Sequence, residues 1–407
     1  MELSQCKERI DAWFSDKEPE MLSMLERIVN MDSFTNDAAD VNKVGEVVTG
    51  WLAEAGFHTA KLPKKPAPAD EQWMNGLGNV FSARTHSVEC GPGVAFIGHM
   101  DTVFPAGTAG ARPFRLDRAA DRATGPGVTD MKAGIVQNMF VARALKELGL
   151  MDVPMTLTFS PDEELGSPST TPILGEQLNG AQAVICTEPG YPGVTLERKG
   201  SGHMFLEIMG ISAHAGRCYQ DGASAILELA HKILAFDAYV DLDHDTTVNT
   251  GLVNGGTSAN SVAPNSSARI HITFKTLETG RRLAEALRAE TAKNHIPGTS
   301  SHISGGVRLP PLVPTPGVMK LFSLAEQAGE LIGYSVHSAP SKGTAESGYC
   351  SSVLGVPAIC SMGPEGSNLH SADEYMIPST FVPRCKLAAL TAIQAARAFA
   401  PAAKVSL

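Results

Sequence analysis

Four short apolar runs in the first half of the chain, NVFSAR, GVAFIGHMDTV, MTLTFSP and AQAVICTEP, most restrict what it can fold into. Between the second and third lies KAGIVQNMFVARALKELG, whose apolar residues recur at three- and four-residue spacing, the period of a helix. EMLSMLERIVNM and VGEVVTGWLAEAGF carry the same period, and Gly56 stands where the second of these should end. Buried strands alternating with helices specify an α/β fold.

The pattern changes near Arg198. SGHMFLEIMG alternates like a strand, GASAILELAHKILAF reads as a helix, and strand-like TTVNTGLVNGG and SSARIHITFKT follow. Helical GRRLAEALRAETAKN and a short strand SSHISGG complete a β-α-β-β-α-β order, the ferredoxin-like plan. VRLPPLVPTPG is a Pro-rich joint, after which LFSLAEQAGELIGY, VPAICSMG and TFVPRCKLAALTAIQAARAFA resume the α/β pattern. At 407 residues the chain is long enough for two domains. The expected organisation is a discontinuous α/β domain, 1–197 and 312–407, with a smaller α+β domain, 198–311, inserted in it.

A formal net charge of −10 argues against broad nucleic-acid or anionic-membrane binding. No apolar stretch approaches the roughly 18 residues of a membrane span. The first residues, MELSQCKERIDAWFSDKEPE, lack the order of a signal peptide and read as a short amphipathic helix. Seven cysteines are scattered without a C-x-x-C pair, so neither a disulfide framework nor a cysteine metal site is suggested. A cytoplasmic protein is the simplest expectation.

Polar residues gather where the strands of the larger domain end, which is where ligands bind in open α/β sheets. VAFIGHMDTV ends in His99 and Asp101, and RATGPGVTDMKAGI offers Asp130 at a helix start. MTLTFSPDEE delivers Glu163 and Glu164, AVICTEPG delivers Glu188, and GSNLHSADEY offers His370 on a loop. Singly, each has an ordinary reading: a hydrogen-bonded core histidine, a loop carboxylate. Together, imidazoles and carboxylates form a donor set suited to zinc, manganese or cobalt.

GHMDTV, GPGVTDMKAG, SPDEELGS, TEPG, GISAHAG and NLHSADEY, in this order along nearly the whole chain, resemble the motifs of the co-catalytic dizinc peptidase and deacylase family. Bacterial glutamate carboxypeptidase, acetylornithine deacetylase, succinyl-diaminopimelate desuccinylase and aminoacylase are members, and the spacing looks closest to the glutamate carboxypeptidase branch. The resemblance implies a catalytic domain with a central mixed sheet flanked by helices, and an inserted ferredoxin-like lid that makes a homodimer. It implies two Zn²⁺, one held by His99 and Glu188, the other by Glu164 and His370, with Asp130 bridging. Asp101 would orient His99, Glu163 would be the general base, and the bond after Asp130 would be cis. His214 would reach the partner subunit's site to stabilise an oxyanion, Asn260 would lie beside it, and Arg308 would grip a substrate carboxylate. Asp162 is expected to be a solvated or capping acid.

Departures from the family pattern cluster where substrate is chosen. DMKAG replaces the common DMKGG, putting Ala133 beside the site. His271 and Thr273 stand near the places of a usual Asp and Arg, and Glu346 follows a loop that commonly ends in Asp. The expected activity is cleavage of an amide bond next to a free carboxylate, with release of an amino acid of the glutamate type. An N-acyl-amino-acid deacylase or dipeptidase is the alternative, and a non-catalytic binding scaffold is a third reading.

Overall fold

A computed structural model describes residues 1–190, 193–341 and 343–406. They separate into two units: Met1–Pro68, Gln72–Arg198 and Leu312–Leu407 form the first, Ala69–Glu71 with Lys199–Pro311 the second.

The first unit opens with helices α1 (Leu3–Phe14), α2 (Glu18–Val29) and α3 (Ala38–Glu54). The Asp37 side chain caps α3 by accepting from the N–H groups of Ala39 and Asp40, and Gly56 takes the positive φ that lets the chain leave it. Strands β1 (His58–Lys61), β2 (Phe81–Arg84) and β3 (Val94–His99) precede a short helix α4 (Thr108–Ala111), β4 (Arg115–Asp117) and β5 (Arg122–Thr124). Helix α5 (Ala133–Glu147), β6 (Met155–Ser160), α6 (Thr171–Leu178) and β7 (Ala183–Cys186) complete the first stretch.

The second unit contains β8 (Gly200–Met209), α7 (Ala225–Asp237), β9 (Thr247–Gly255), β10 (Asn265–Phe274), α8 (Leu277–Thr291) and β11 (Ser300–Leu309). The chain then returns with α9 (Pro316–Ile332), α10 (Ser347–Ser352), β12 (Ala358–Ile359), β13 (Gly366–Ser367), β14 (Tyr375–Met376) and α11 (Phe381–Ala398).

The main sheet of the first unit has the order β1-β2-β6-β3-β7-β12. β6, β3, β7 and β12 run parallel, while β1 and β2 add an antiparallel edge. β3 and β6 are buried at every residue, as strands covered on both faces must be. α5 packs against β3 and α11, burying most of its length. After β3 the chain crosses to β6 on one side, and the next strand, β7, lies on the other side of β3. That reversal opens a crevice at the carboxyl ends of these three strands.

A second sheet, β13-β14-β5-β4, is built from strands of two or three residues and has no counterpart in the hydropathy pattern. The second unit's sheet runs β11-β8-β10-β9, the strand order of a ferredoxin-like fold, and is antiparallel throughout. Met204, Leu206, Ile208, Ile270, Ile272 and Phe274 alternate along β8 and β10 and bury one face beneath α7 and α8. β11 is longer than its expected SSHISGG core and absorbs Val307–Leu309, part of the proline-rich joint. A register shift between Val307 and Leu309 lets that end of the strand pair despite its irregular sequence.

Candidate metal centre

His99 is the last residue of β3, and the crevice beside it collects the other strand-end acids. Its Nδ1 lies 3.0 Å from the carbonyl oxygen of Asp101 and 3.4 Å from that residue's Oδ1. A carbonyl only accepts, so Nδ1 carries the hydrogen and the neutral ring keeps its lone pair on Nε2. Nε2 stands 3.2 Å from Asp130 Oδ1 and 3.6 Å from Glu188 Oε1. On the other side, His370 Nε2 is 3.2 Å from Asp130 Oδ2 and 3.1 Å from Glu164 Oε2. Asp130 therefore turns one carboxylate oxygen towards each imidazole.

His99, Asp130 and Glu188 form one group of potential ligands, and Asp130, Glu164 and His370 another; within each, the ligand atoms lie within 4.8 Å of one another. Electrostatics fits cations at these positions. Burial drives Glu188 up to about 8 and raises Glu164, with the charge of Asp130 adding to both. Burial also lifts Glu163 well above the ordinary range, and Glu188, Glu164 and Glu346 add to it. Hydrogen bonds donated to the Asp130 and Glu164 carboxylates carry His370 up to about 10. Burial opposes the charged form of His99, but Asp101, Asp130 and nearby glutamates outweigh it and raise the imidazole well above its usual value. Several buried acids thus compete for the charge of two imidazoles, an imbalance that divalent cations relieve.

The second coordination layer is built from the chain's own hydrogen bonds. The Asp101 carboxylate accepts from Thr35 Oγ1 at 2.7 Å and from the N–H groups of Glu163 and Glu164, both at 3.2 Å. It thereby pins the turn after β6 as well as His99. Glu374, four residues beyond His370, accepts from the N–H groups of Gly127, Thr129 and Asp130. Thr35 left no signal in the sequence; Glu374 stood inside NLHSADEY without an assigned task. The peptide bond between Asp130 and Met131 is cis, and His370 has a φ of 60°, unusual for a residue with a Cβ.

Residues 95–394 match the peptidase family M20/M25/M40. The chain belongs to this family. It is 24% identical over 378 residues to carboxypeptidase G2 of Pseudomonas sp. (strain RS-16), covering 91% of this chain and 88% of that one. Succinyl-diaminopimelate desuccinylase of Gluconacetobacter diazotrophicus is 27% identical over 392 residues, covering 92% and 95%. Among solved structures, the Saccharomyces cerevisiae di-peptidase Dug1p superposes with a TM-score of 0.72 at 16% identity, covering 97% of this chain and 99% of that one. The M20 family metallo-carboxypeptidase Sso-CP2 of Sulfolobus solfataricus gives 0.72 at 16% identity, covering 93% and 99%. The protein is thus an M20-family enzyme, a metallopeptidase-type hydrolase with a mixed α/β fold.

The remaining sequence-selected residues of this M20 enzyme lie in varied surroundings. Glu346 is buried, accepts from Ser167 Oγ at 2.8 Å, and is pushed by burial up to about 7. Lys342, in the same KGTAESGY segment, lies outside the described residues. In the second unit His214 is exposed, and its Nδ1 accepts from Gly216 N at 3.2 Å. Asn260 adjoins it through the hydrogen bond from Ala215 N to the Asn260 carbonyl, 3.0 Å. Arg308 is ion-paired with Glu71. His271 sits directly across from His203, with ring centroids 4.9 Å apart, and Thr273 Oγ1 is 2.7 Å from Thr247 Oγ1. No described helix is long and apolar enough to cross a membrane.

Proposed function

We propose that this enzyme cleaves an amide bond beside a free carboxylate and releases a C-terminal amino acid, glutamate being the first candidate. The observation that carries the reading is the pair of ligand groups sharing Asp130. His99 and Glu188 would hold one cation, Glu164 and His370 the other, and Asp130 both. The donor set suits Zn²⁺, with Mn²⁺ or Co²⁺ as alternatives. When bound, such a pair activates water and polarises the scissile carbonyl.

The chain's own residues move the protons. Among the described residues, no hydrogen bond or ion pair engages the Glu163 carboxylate, whereas that of its neighbour Glu164 faces His370. Glu163 is the general base: a carboxylate oxygen takes the proton of the attacking water and delivers it to the leaving nitrogen. Burial raises its affinity for that proton, which favours taking it from the water. Asp101 fixes the His99 tautomer and the turn carrying Glu163 and Glu164. In Glu163→Gln we expect metal content to be unchanged and turnover to fall by about 10²–10⁴-fold, the usual worth of a general base. Turnover at the wild-type rate would overturn the assignment.

Residues 198–311 are assigned to a lid and dimerisation domain, and 1–197 with 312–407 to the catalytic domain; the two structural units support this division. Ile226, Leu227 and Leu234 on α7, with Leu252 and Val253 on the edge strand β9, are exposed apolar side chains suited to a homodimer contact. In that dimer His214 and Asn260 would serve the partner subunit's site. The Nδ1 of His214 is an acceptor here, which leaves Nε2–H free to donate to an oxyanion. Arg308 would bind the substrate carboxylate by exchanging Glu71 for it. A dimeric mass in solution checks the assembly; a monomer contradicts it. Similarity to a succinyl-diaminopimelate desuccinylase favours, as a second reading, an N-acyl-amino-acid deacylase with the same centre.

A further inference from the structure

Asp130 can face both imidazoles only if its backbone is held still. Its two oxygens each stand 3.2 Å from a different Nε2, so a small displacement of the main chain would lose one of them. The segment is irregular: Gly127 has a φ of 71°, and Asp130 and Met131 are non-helical just before α5. Its own main-chain bonds, Lys132 N to the Gly127 carbonyl at 3.0 Å and Ala133 N to the Val128 carbonyl, span Asp130 but leave the Asp130 N–H to a side chain.

We propose that Glu374 is a positioning residue of the metal centre, holding the Asp130 backbone through a carboxylate wrapped by main-chain N–H groups. Glu374 Oε1 accepts from Thr129 N at 2.9 Å and from Asp130 N at 3.0 Å, and Oε2 accepts from Gly127 N at 3.1 Å. The side chain is buried, with 1% of its surface exposed, so water does not replace these bonds. Main-chain N–H groups of one short segment converging on one anion form a concave cradle. Its occupant here comes from the loop that also carries His370.

Two further contacts bring that loop to the cradle. β14, which begins at the next residue, pairs with β5 through Tyr375↔Thr124 and Met376↔Ala123, only a few residues before Gly127. Arg112 Nη1 donates to the Ala372 carbonyl at 2.7 Å from the other side. Glu374 therefore couples two potential ligands that are distant in sequence, Asp130 and His370. A residue that merely filled space could be neutral. The three donors require two acceptor oxygens, and a glutamine amide would turn an NH₂ group towards one of them.

The inference rests on the metal reading above. It is tested with Glu374→Gln, nearly isosteric, and Glu374→Asp, which keeps the charge on a shorter stem. Zn²⁺ and Mn²⁺ affinities would be measured by competition with a chromophoric chelator, alongside thermal melting and the split of kcat from KM. We expect Glu374→Gln to bind metal about 10- to 100-fold more weakly, the usual effect of losing a partner behind a ligand. kcat should fall with little change in KM, excess metal should restore part of it, and Glu374→Asp should lie between the two. Wild-type metal affinity in Glu374→Gln, even with a lowered melting temperature, would reduce the residue to a structural role and overturn the proposal. Wild-type protein that takes up no metal would instead remove the metal reading, and this inference with it.

Discussion

Asp162, Glu163 and Glu164 are consecutive acids with three different surroundings. Glu164 faces His370, the Glu163 carboxylate has no hydrogen bond or ion pair among the described residues, and Asp162 turns inward. Asp162 fills neither role expected for it, being buried rather than solvated and capping no helix with its side chain. Its carboxylate accepts from Ser169 N and Ser169 Oγ, both at 2.7 Å, and from Thr170 Oγ1. It closes the turn that presents the two glutamates. Asp162→Ala should cost about 1–3 kcal/mol, because buried donors lose their acceptor. A denaturant melt checks this, and an unchanged midpoint would contradict it. The departure at Ala133 also has a residue-scale explanation. A Cβ added at Gly134 would lie 2.1 Å from the Thr187 carbonyl oxygen, beside Glu188, whereas Ala133 already carries its Cβ in the buried face of α5. Of the two positions that are commonly glycine, only the second needs to be.

At the scale of elements, legibility follows pattern length. β3, β6, β7 and α5 were readable because buried strands are continuously apolar and a long helix repeats its period several times. The β13-β14-β5-β4 sheet was not readable, since strands of two or three residues are too short to show alternation. That sheet matters to the site because β14 sets where Glu374 and His370 lie relative to Asp130. The candidate ligands, and Asp101 behind His99, could therefore be chosen from strand ends and motif order, while the longer-range hydrogen bonds that hold them could not. Thr35 reaches Asp101 across 66 positions in sequence, and no local pattern encodes such a contact. Arg308 shows the same limit, because its partner Glu71 comes from a distant loop.

Across the whole molecule, buried acids make stability depend on pH and on metal. Burial raises Asp162 to about 6, Glu346 and Glu374 to about 7, and Glu188 to about 8. Above the unfolded values near 4, the metal-free native state retains protons that the unfolded chain has released. The stability these groups contribute is present at low pH and is lost as pH rises through their folded values. His370, raised to about 10, has the same sign above its unfolded value near 6.5. The lowered Asp130 has the opposite sign, but it contributes fully above its unfolded pKa and stays flat at higher pH. Chelated protein should therefore melt at a lower temperature at pH 8 than at pH 5. Because ligands bind metal in their deprotonated forms, the gap between loaded and chelated protein should widen with pH. A gap that narrows would contradict the assignment of the buried acids.

The proposed reaction depends on the centre as a whole, and amino-acid release probes it most directly. Metal-loaded protein would be offered a panel of N-acyl and peptidyl amino acids, each with and without a chelator. We expect chelator-sensitive release, fastest from conjugates of glutamate or aspartate. Release mainly from neutral or basic N-acyl amino acids would keep the metal chemistry and move the enzyme to the deacylase reading. Release that persists undiminished after chelation, or no release from any member of the panel, would contradict a metal-dependent hydrolase of amides beside a free carboxylate.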